Sequence, residues 1–182
     1  LFRSGTVMWL AQNAEGQRTV VQAQGITTTT ISTPAINVAL SALNSVDDAE
    51  CFTYQERGHL FWVLNLPSAD LTLVYDATEQ LWHNRGDWRV DQNAYAVDRP
   101  RVHTVMFNQH LVGDRTTGAI YTMSSAIGTT ADGDGIRRVR RSHDAMREQV
   151  PTTYAAFRLL LEPGLADQSG QGSAPEVALR WS

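Results

Sequence analysis

Between residues 52 and 86, apolar and polar positions alternate in four short runs separated by turn residues. Phe52-Thr-Tyr-Gln-Glu56 runs into Arg57-Gly58, and His59-Leu-Phe-Trp-Val-Leu-Asn65 leads out of it. Pro67-Ser-Ala-Asp70 precedes Leu71-Thr-Leu-Val-Tyr-Asp76, and Ala77-Thr-Glu-Gln80 precedes Leu81-Trp-His-Asn-Arg-Gly86. β-branched and aromatic residues fill the runs, Gly, Pro, Asp and Ser punctuate them, and no gap has room for a helix. The pattern predicts one complete four-stranded antiparallel sheet. Such a meander repeated every ~40–50 residues is the sequence form of a β-propeller blade.

The alternation recurs on both sides. Residues 5–11, a turn at Asn13-Ala-Glu-Gly16 and residues 17–24 predict a hairpin, and residues 26–32 predict a third, threonine-rich strand. Ser32-Thr-Pro34 breaks the period. Pro34 suits the first turn of a helix capped by Thr33, and Ile36, Ala39, Leu40 and Leu43 recur on one face, so a short amphipathic helix is expected over residues 34–44 as a connector packed on the sheets. Residues 87–101 read as a polar connection. Residues 103–107, a turn at Asn108-Gln109, residues 110–114 and residues 119–123 predict three more strands. Residues 136–141 are the expected fourth, reached through Asp132-Gly-Asp-Gly135. Leu73-Val-Tyr-Asp76 and Ile120-Tyr-Thr-Met123 align as a weak repeat. Residues 154–162 and 176–181 predict two long strands joined by a Gly- and Ser-rich loop.

The expected architecture is therefore all-β: a β-propeller-like array of four-stranded antiparallel blades, a partial propeller with one short α-helix. Its expected sub-units are a partial blade plus helix over 1–46, a full blade over 47–88, a second blade over 89–148 and a partial blade over 149–182. Together they form one domain, 1–182, read as a fragment of a longer propeller protein because the chain starts at Leu1 and stops on Ser182 directly after a predicted strand.

Composition narrows the picture. At 182 residues, 42% of them hydrophobic, the chain suffices for one domain with a real core. No run approaches the roughly 20 apolar residues of a membrane span. The single cysteine, Cys51, heads an apolar strand and is expected to be buried and inert. Fifteen basic against nineteen acidic residues give a net charge of −4, which argues against a surface that wraps nucleic acid all round and leaves room for a local basic patch.

Candidate chemistry is sparse. Asp132-Gly-Asp-Gly135 alternates carboxylates, but the twelfth position of an EF-hand loop counted from Asp132 is His143, so a glycine-rich turn is the better reading. His59, His83, His103, His110 and His143 show no metal-binding spacing, and no metal or cofactor is expected. The strongest charge feature is Arg137-Arg-Val-Arg-Arg141, with Arg147 nearby. In a strand, Arg137 and Arg141 would share one face and Arg138 and Arg140 the other. These four arginines form either a phosphate- or partner-binding edge or, more simply, a charged edge that resists aggregation. Trp9, Trp62, Trp82, Trp88 and Trp181 sit at strand positions and read as core rather than as a sugar platform. Asp70, Asp76, Asp87 and Asp114 fall beside turns in solvated places, and no catalytic set can be assembled from the spacing, so no enzyme is expected.

The runs Ile31-Ser-Thr-Pro-Ala-Ile36, Phe52-Thr-Tyr-Gln-Glu-Arg-Gly-His59, Val74-Tyr-Asp-Ala-Thr78, Leu81-Trp-His-Asn-Arg-Gly86, His110-Leu-Val-Gly-Asp114, Ile136-Arg-Arg-Val-Arg140, Gly170-Gln-Gly-Ser-Ala-Pro175 and Leu179-Arg-Trp-Ser182 occur in this order over nearly the whole chain. In this combination the chain resembles the packaged-DNA stabilisation proteins of short-tailed bacteriophages, also called tail accessory factors or head-to-tail connector hubs. The resemblance implies a phage or prophage virion structural protein that plugs the portal channel and stabilises packaged DNA. It implies other tail and portal proteins as partners, a homo-oligomeric ring in the full-length family and location in the virion connector, with the host cytoplasm during assembly. Catalysis, a cofactor and a membrane are not implied, and DNA contact would be weak and nonspecific. The alternative is a propeller glycoside hydrolase or carbohydrate-binding module, because Arg180-Trp-Ser182 looks like the start of a sialidase-type Asp-box.

Overall fold

The computed structural model describes residues 6–141 together with Ala156, Arg158, Leu160, Val177 and Ala178. Three antiparallel sheets follow one another along the chain. β1 (Met8–Gln12), β2 (Arg18–Gln24) and β3 (Thr27–Thr30) form the first, in the order β1-β2-β3. After helix α1 (Pro34–Ser41) comes the central sheet of β4 (Glu50–Glu56), β5 (His59–Leu66), β6 (Leu71–Asp76) and β7 (Leu81–Arg85), in sequence order. A two-stranded ribbon, β8 (Asp87–Arg89) and β9 (Ala94–Ala96), leads to the third sheet, β10 (Pro100–Met106), β11 (Gln109–Asp114) and β12 (Ile120–Met123). The chain divides into two compact units, Leu1–Met123 and Ser124–Ser182, and all three sheets belong to the first.

The central sheet forms as its alternation predicts, and it is buried on both sides. Leu60, Trp62, Leu64 and Leu66 of β5 point to one face with Leu73 and Tyr75 of β6, and there they pack on Met8, Val20 and Leu40. Val63 and Val74 point to the other face, packing with Tyr54, Phe52, Phe61 and Met123. Fully burying such side chains contributes roughly 1.5–3 kcal/mol each. A sheet that buries both faces against neighbouring sheets is packed as an inner blade is packed. Among the described residues the sheets close no ring.

The helix starts as expected and ends sooner. The Thr33 side chain accepts the Ile36 N–H, Pro34 occupies the first turn, and Leu40 is fully buried. Arg18 Nη1 donates to the carbonyls of Leu40 and Leu43 at 2.9 and 2.6 Å, satisfying the helix end from β2 with a cation that suits the dipole.

Turn chemistry sets the register of the hairpins. Arg57 and Gly58 both take positive φ, as a two-residue loop that matches strand twist requires. The β10–β11 hairpin turns on Phe107 and Asn108, with φ of 53° and 58°, one residue earlier than predicted. The ladder closes on Met106 and Gln109, and Phe107 is left 86% exposed at the tip. Residues 87–101 are likewise more than a connection. A Cβ at Gly86 would lie 2.6 Å from the Ala96 carbonyl oxygen, so glycine at this position lets the ribbon fold back on itself.

Other expectations are corrected. Among the described residues the third sheet has three strands: residues 136–141 are irregular, and the extended pairing described near them is the single bridge Thr129 to Gly135. The physical reason lies in the run itself, whose one internal apolar residue, Val139, is 65% exposed and gives a strand nothing to bury. Asp132-Gly-Asp-Gly135 is a turn as expected, with Gly133 at φ 90°. Cys51 is exposed rather than buried. Its ladder partner Leu64 is covered, but Cys51 lies one strand further out, on the edge where that cover ends. The predicted strands over 154–162 and 176–181 lie outside the described residues, apart from isolated positions.

Candidate functional site

Two features qualify as candidates: the arginine run and a polar seam between the central and third sheets. Arg137, Arg138, Arg140 and Arg141 are all exposed in irregular backbone of the second unit. The strand alternation expected for them therefore does not sort them onto two faces. They form a short, solvated cationic stretch. Arg147 and His143 lie outside the described residues.

The seam is built from strand ends. Asn65 is the penultimate residue of β5 and is wholly buried; its Oδ1 accepts the Thr72 hydroxyl at 2.8 Å and its Nδ2 donates to the carbonyl of Pro100, the first residue of β10, at 2.8 Å. Thr72 Oγ1 accepts the Asp98 N–H at 2.9 Å. Arg85, at the end of β7, donates to the Tyr54 hydroxyl and places its guanidinium 5.2 Å from the Tyr54 ring centre and 5.6 Å from that of Phe61. At the rim, Arg101 and Arg115 meet Glu50 at 2.9 and 3.5 Å, and Arg115 Nε donates to the Asp98 carbonyl at 3.0 Å. A cleft of about 520 Å³ opens there between Asp48, Glu50, Arg101 and Arg115, in which Glu50 is paired with both arginines and Asp48 accepts from Ser68.

Four histidines line the same face. His103 and His110 are joined Nε2 to Nδ1 at 2.9 Å and stacked at 5.1 Å, with Phe52 and Tyr54 against them. One ring must accept what the other donates, so the bond requires a neutral imidazole. Burial, and then His110, push His103 below the usual histidine range, while a hydrogen bond to the Thr53 backbone pulls the other way. Burial and Arg85 push His83 down as well. His59 Nδ1 meets Asp76 Oδ2 at 2.7 Å. Burial raises the Asp98 carboxyl, against the pull of Arg85, and burial likewise raises the Tyr54 phenol.

These shifts set a pH response. His103 and His83 resist protonation in the fold, whereas the unfolded chain takes protons below about pH 6.5. Their stability contribution is thus complete above that value and is lost as pH falls through it. Asp98 has the opposite sign, because its raised carboxyl is protonated in the fold before it is in the unfolded chain. His103→Gln is therefore expected to flatten the fall in urea midpoint between pH 7 and pH 5, and Asp98→Asn to steepen it; parallel curves for all three proteins would remove the histidine pair from the account.

The carboxylates weighed for glycoside chemistry have other work. Asp76 and Asp114 are buried rather than solvated, each 7% exposed. Asp76 Oδ1 accepts the N–H groups of Thr78 and Glu79, and Asp114 Oδ1 those of Thr116 and Thr117. Burial alone would raise both; the His59 and backbone hydrogen bonds at Asp76, and the Thr117 and Thr116 amides at Asp114, outweigh it and hold both below the usual range. Asp87 pairs with Arg99 at 2.9 Å, and the exposed Asp70 lies 3.9 Å from Arg89. Each carboxylate closes a turn or an ion pair. Among the tryptophans, Trp62 is core, Trp82 donates from Nε1 to the Ile31 carbonyl at 2.8 Å, Trp88 packs on Tyr95, and Trp9 is 37% exposed instead of buried. Among the described residues no group of His, Cys, Asp and Glu side chains is arranged to hold a metal.

Sequence reasoning missed Asn65, Arg85 and Asp98. The one local signal was Asn65 itself, a lone amide ending an otherwise apolar strand.

Comparison with known proteins gives one match. The model of a family described as Bacteriophage P22 Gp10, beta-propeller matches residues 3–128, a span that includes every strand of the three sheets. No curated protein and no solved structure matches the chain.

Proposed function

Because the chain belongs to the bacteriophage P22 Gp10 beta-propeller family, phage DNA-stabilisation proteins that are structural components of the virion and not enzymes, we propose that it plugs the portal channel and stabilises packaged DNA within the head-to-tail connector. The observation that supports this reading is the continuous stacking of three sheets under one family match, with strand-end carboxylates committed to turns and ion pairs. The chain contributes to a homo-oligomeric ring whose neighbours are portal and tail proteins, assembled in the host cytoplasm before it becomes part of the virion. Removing the gene from its phage is expected to leave heads that package DNA and then lose it, seen as emptied particles on a density gradient; full heads in normal yield would refute the proposal.

Arg137, Arg138, Arg140 and Arg141 supply a nonspecific phosphate contact in this reading. Four arginines neutralising four phosphates give duplex affinity that drops about 100-fold between 50 and 200 mM salt. Replacing Arg138 and Arg140 by Gln should halve the logarithmic salt slope and leave the thermal midpoint within a few degrees. Fluorescence anisotropy at the two salt concentrations measures the slope and a thermal unfolding curve the midpoint; salt-insensitive, sequence-specific binding would contradict the assignment.

A further inference from the structure

At the end of the first and central sheets where β1 begins and β6 runs into its turn, the apolar packing between them stops short. Val20 is wholly buried, but the next residues of β2 on the same side are Gln22 and Gln24, and the register places Thr29 of β3 opposite Gln22. Facing them across a cleft of about 420 Å³ are Leu60, Tyr75, Ala77 and Gln80 of the central sheet, with Met8 at the floor. The volume lies in the range of small-molecule sites. Sheet-on-sheet packing calls for apolar side chains at these positions, and the chain supplies primary amides and a hydroxyl instead.

We propose that this cleft binds a neutral saccharide. Among the described residues, no ionisable side chain but the Tyr75 phenol lines it, so none of them complements a phosphate, a carboxylate or an ammonium group. Amides and hydroxyls both donate and accept, as sugar hydroxyls do, and an amide can take two adjacent hydroxyls at once. The Gln24 amide is already oriented: its Oε1 accepts the Thr29 hydroxyl at 3.2 Å, which leaves its two N–H donors free for a ligand. Gln80 holds its amide from a left-handed backbone position, φ 57°, at the end of the β6–β7 turn. Met8, Leu60 and Tyr75 supply the apolar lining for the C–H face of a pyranose ring. The charged cleft at Glu50, Arg101 and Arg115 has none of these properties, so the two ends of the sheets differ in kind.

The inference stands apart from the connector role and from the arginine run. It is tested on the purified chain by saturation-transfer NMR and calorimetry with neutral disaccharides (maltose, lactose, cellobiose and N,N′-diacetylchitobiose) and with sialyllactose as the anionic probe. Saturable binding of at least one neutral disaccharide is expected, unchanged between about 50 and about 500 mM NaCl because no ion pair contributes. Gln22→Ala and, separately, Gln80→Asn should each weaken it about tenfold, the loss of one or two good hydrogen bonds. Gln80→Asn tolerates the left-handed backbone and sits at an exposed turn, so it reports even where Gln22→Ala compromises folding. Absence of binding at about 10 mM of every neutral probe, preference for the anionic one, or binding indifferent to both substitutions overturns the proposal.

Discussion

Trp62→Ala is expected to cost about 3–5 kcal/mol, read as the shift of the urea unfolding midpoint at constant slope. The indole is 2% exposed and stands edge-on to Trp82 at 6.2 Å and 85°. Trp82 is itself tied to the carbonyl of Ile31, just past β3, and Tyr75, which the register places between the two tryptophans, packs on it at 4.9 Å. Truncation therefore opens a cavity where the two sheets meet and removes one of the rings packed on Trp82, whose indole stays held by Ile31 and Tyr75 and cannot move in to fill the space. Against a typical domain stability of about 5–15 kcal/mol, this takes much of the reserve. Trp62→Phe, which keeps most of the volume, should lose distinctly less. Trp9→Ala, at a partly solvated position on the far side of β1, should stay within about 1 kcal/mol of the parent. Equal losses at Trp62 and Trp9 would mean that the first and central sheets do not pack in solution as described.

That contrast shows what the sequence could and could not reveal. Period-two alternation identified the strands of the central sheet because alternation and turn chemistry are local. The same reasoning treated all five tryptophans alike, since strand position alone does not say which face of an outer sheet finds a neighbour. Cys51 failed for the same reason, lying on a covered face but on an uncovered edge. The ribbon β8–β9 was invisible because three residues per strand are too few to show a period, and its cause, the close approach of Ala96 to Gly86, lies between segments. Arg137–Arg141 misled in the other direction: alternation was read into a run that has nothing to bury. The polar seam was the least legible part. Arg85 and Asp98 look like ordinary surface residues until β7 and the start of β10 are brought together, whereas Asn65 could have been singled out as a polar residue with nowhere to go but a hydrogen-bonded interior.

Asn65→Ala is expected to cost about 2–4 kcal/mol, more than its size implies, because the substitution strands two partners in a dry seam. The Pro100 carbonyl at the start of β10 loses its donor, and the Thr72 hydroxyl of β6 loses its acceptor. Thr72→Val should cost about 1–3 kcal/mol, since it removes the acceptor for the Asp98 N–H as well as the donor to Asn65. The two residues form one unit. The double variant should therefore fall short of the sum of the singles by about 1 kcal/mol, the coupling expected of side chains that share a bond. A local readout separates this from general weakening: in hydrogen exchange under native conditions, the Asp98 amide and the amides of β10 should exchange faster in Asn65→Ala, while those of β2 keep their protection relative to one another. Strict additivity, or uniform acceleration across all three sheets, would show that the third sheet is held to the centre by apolar contact through Phe52, Tyr54 and Met123 alone.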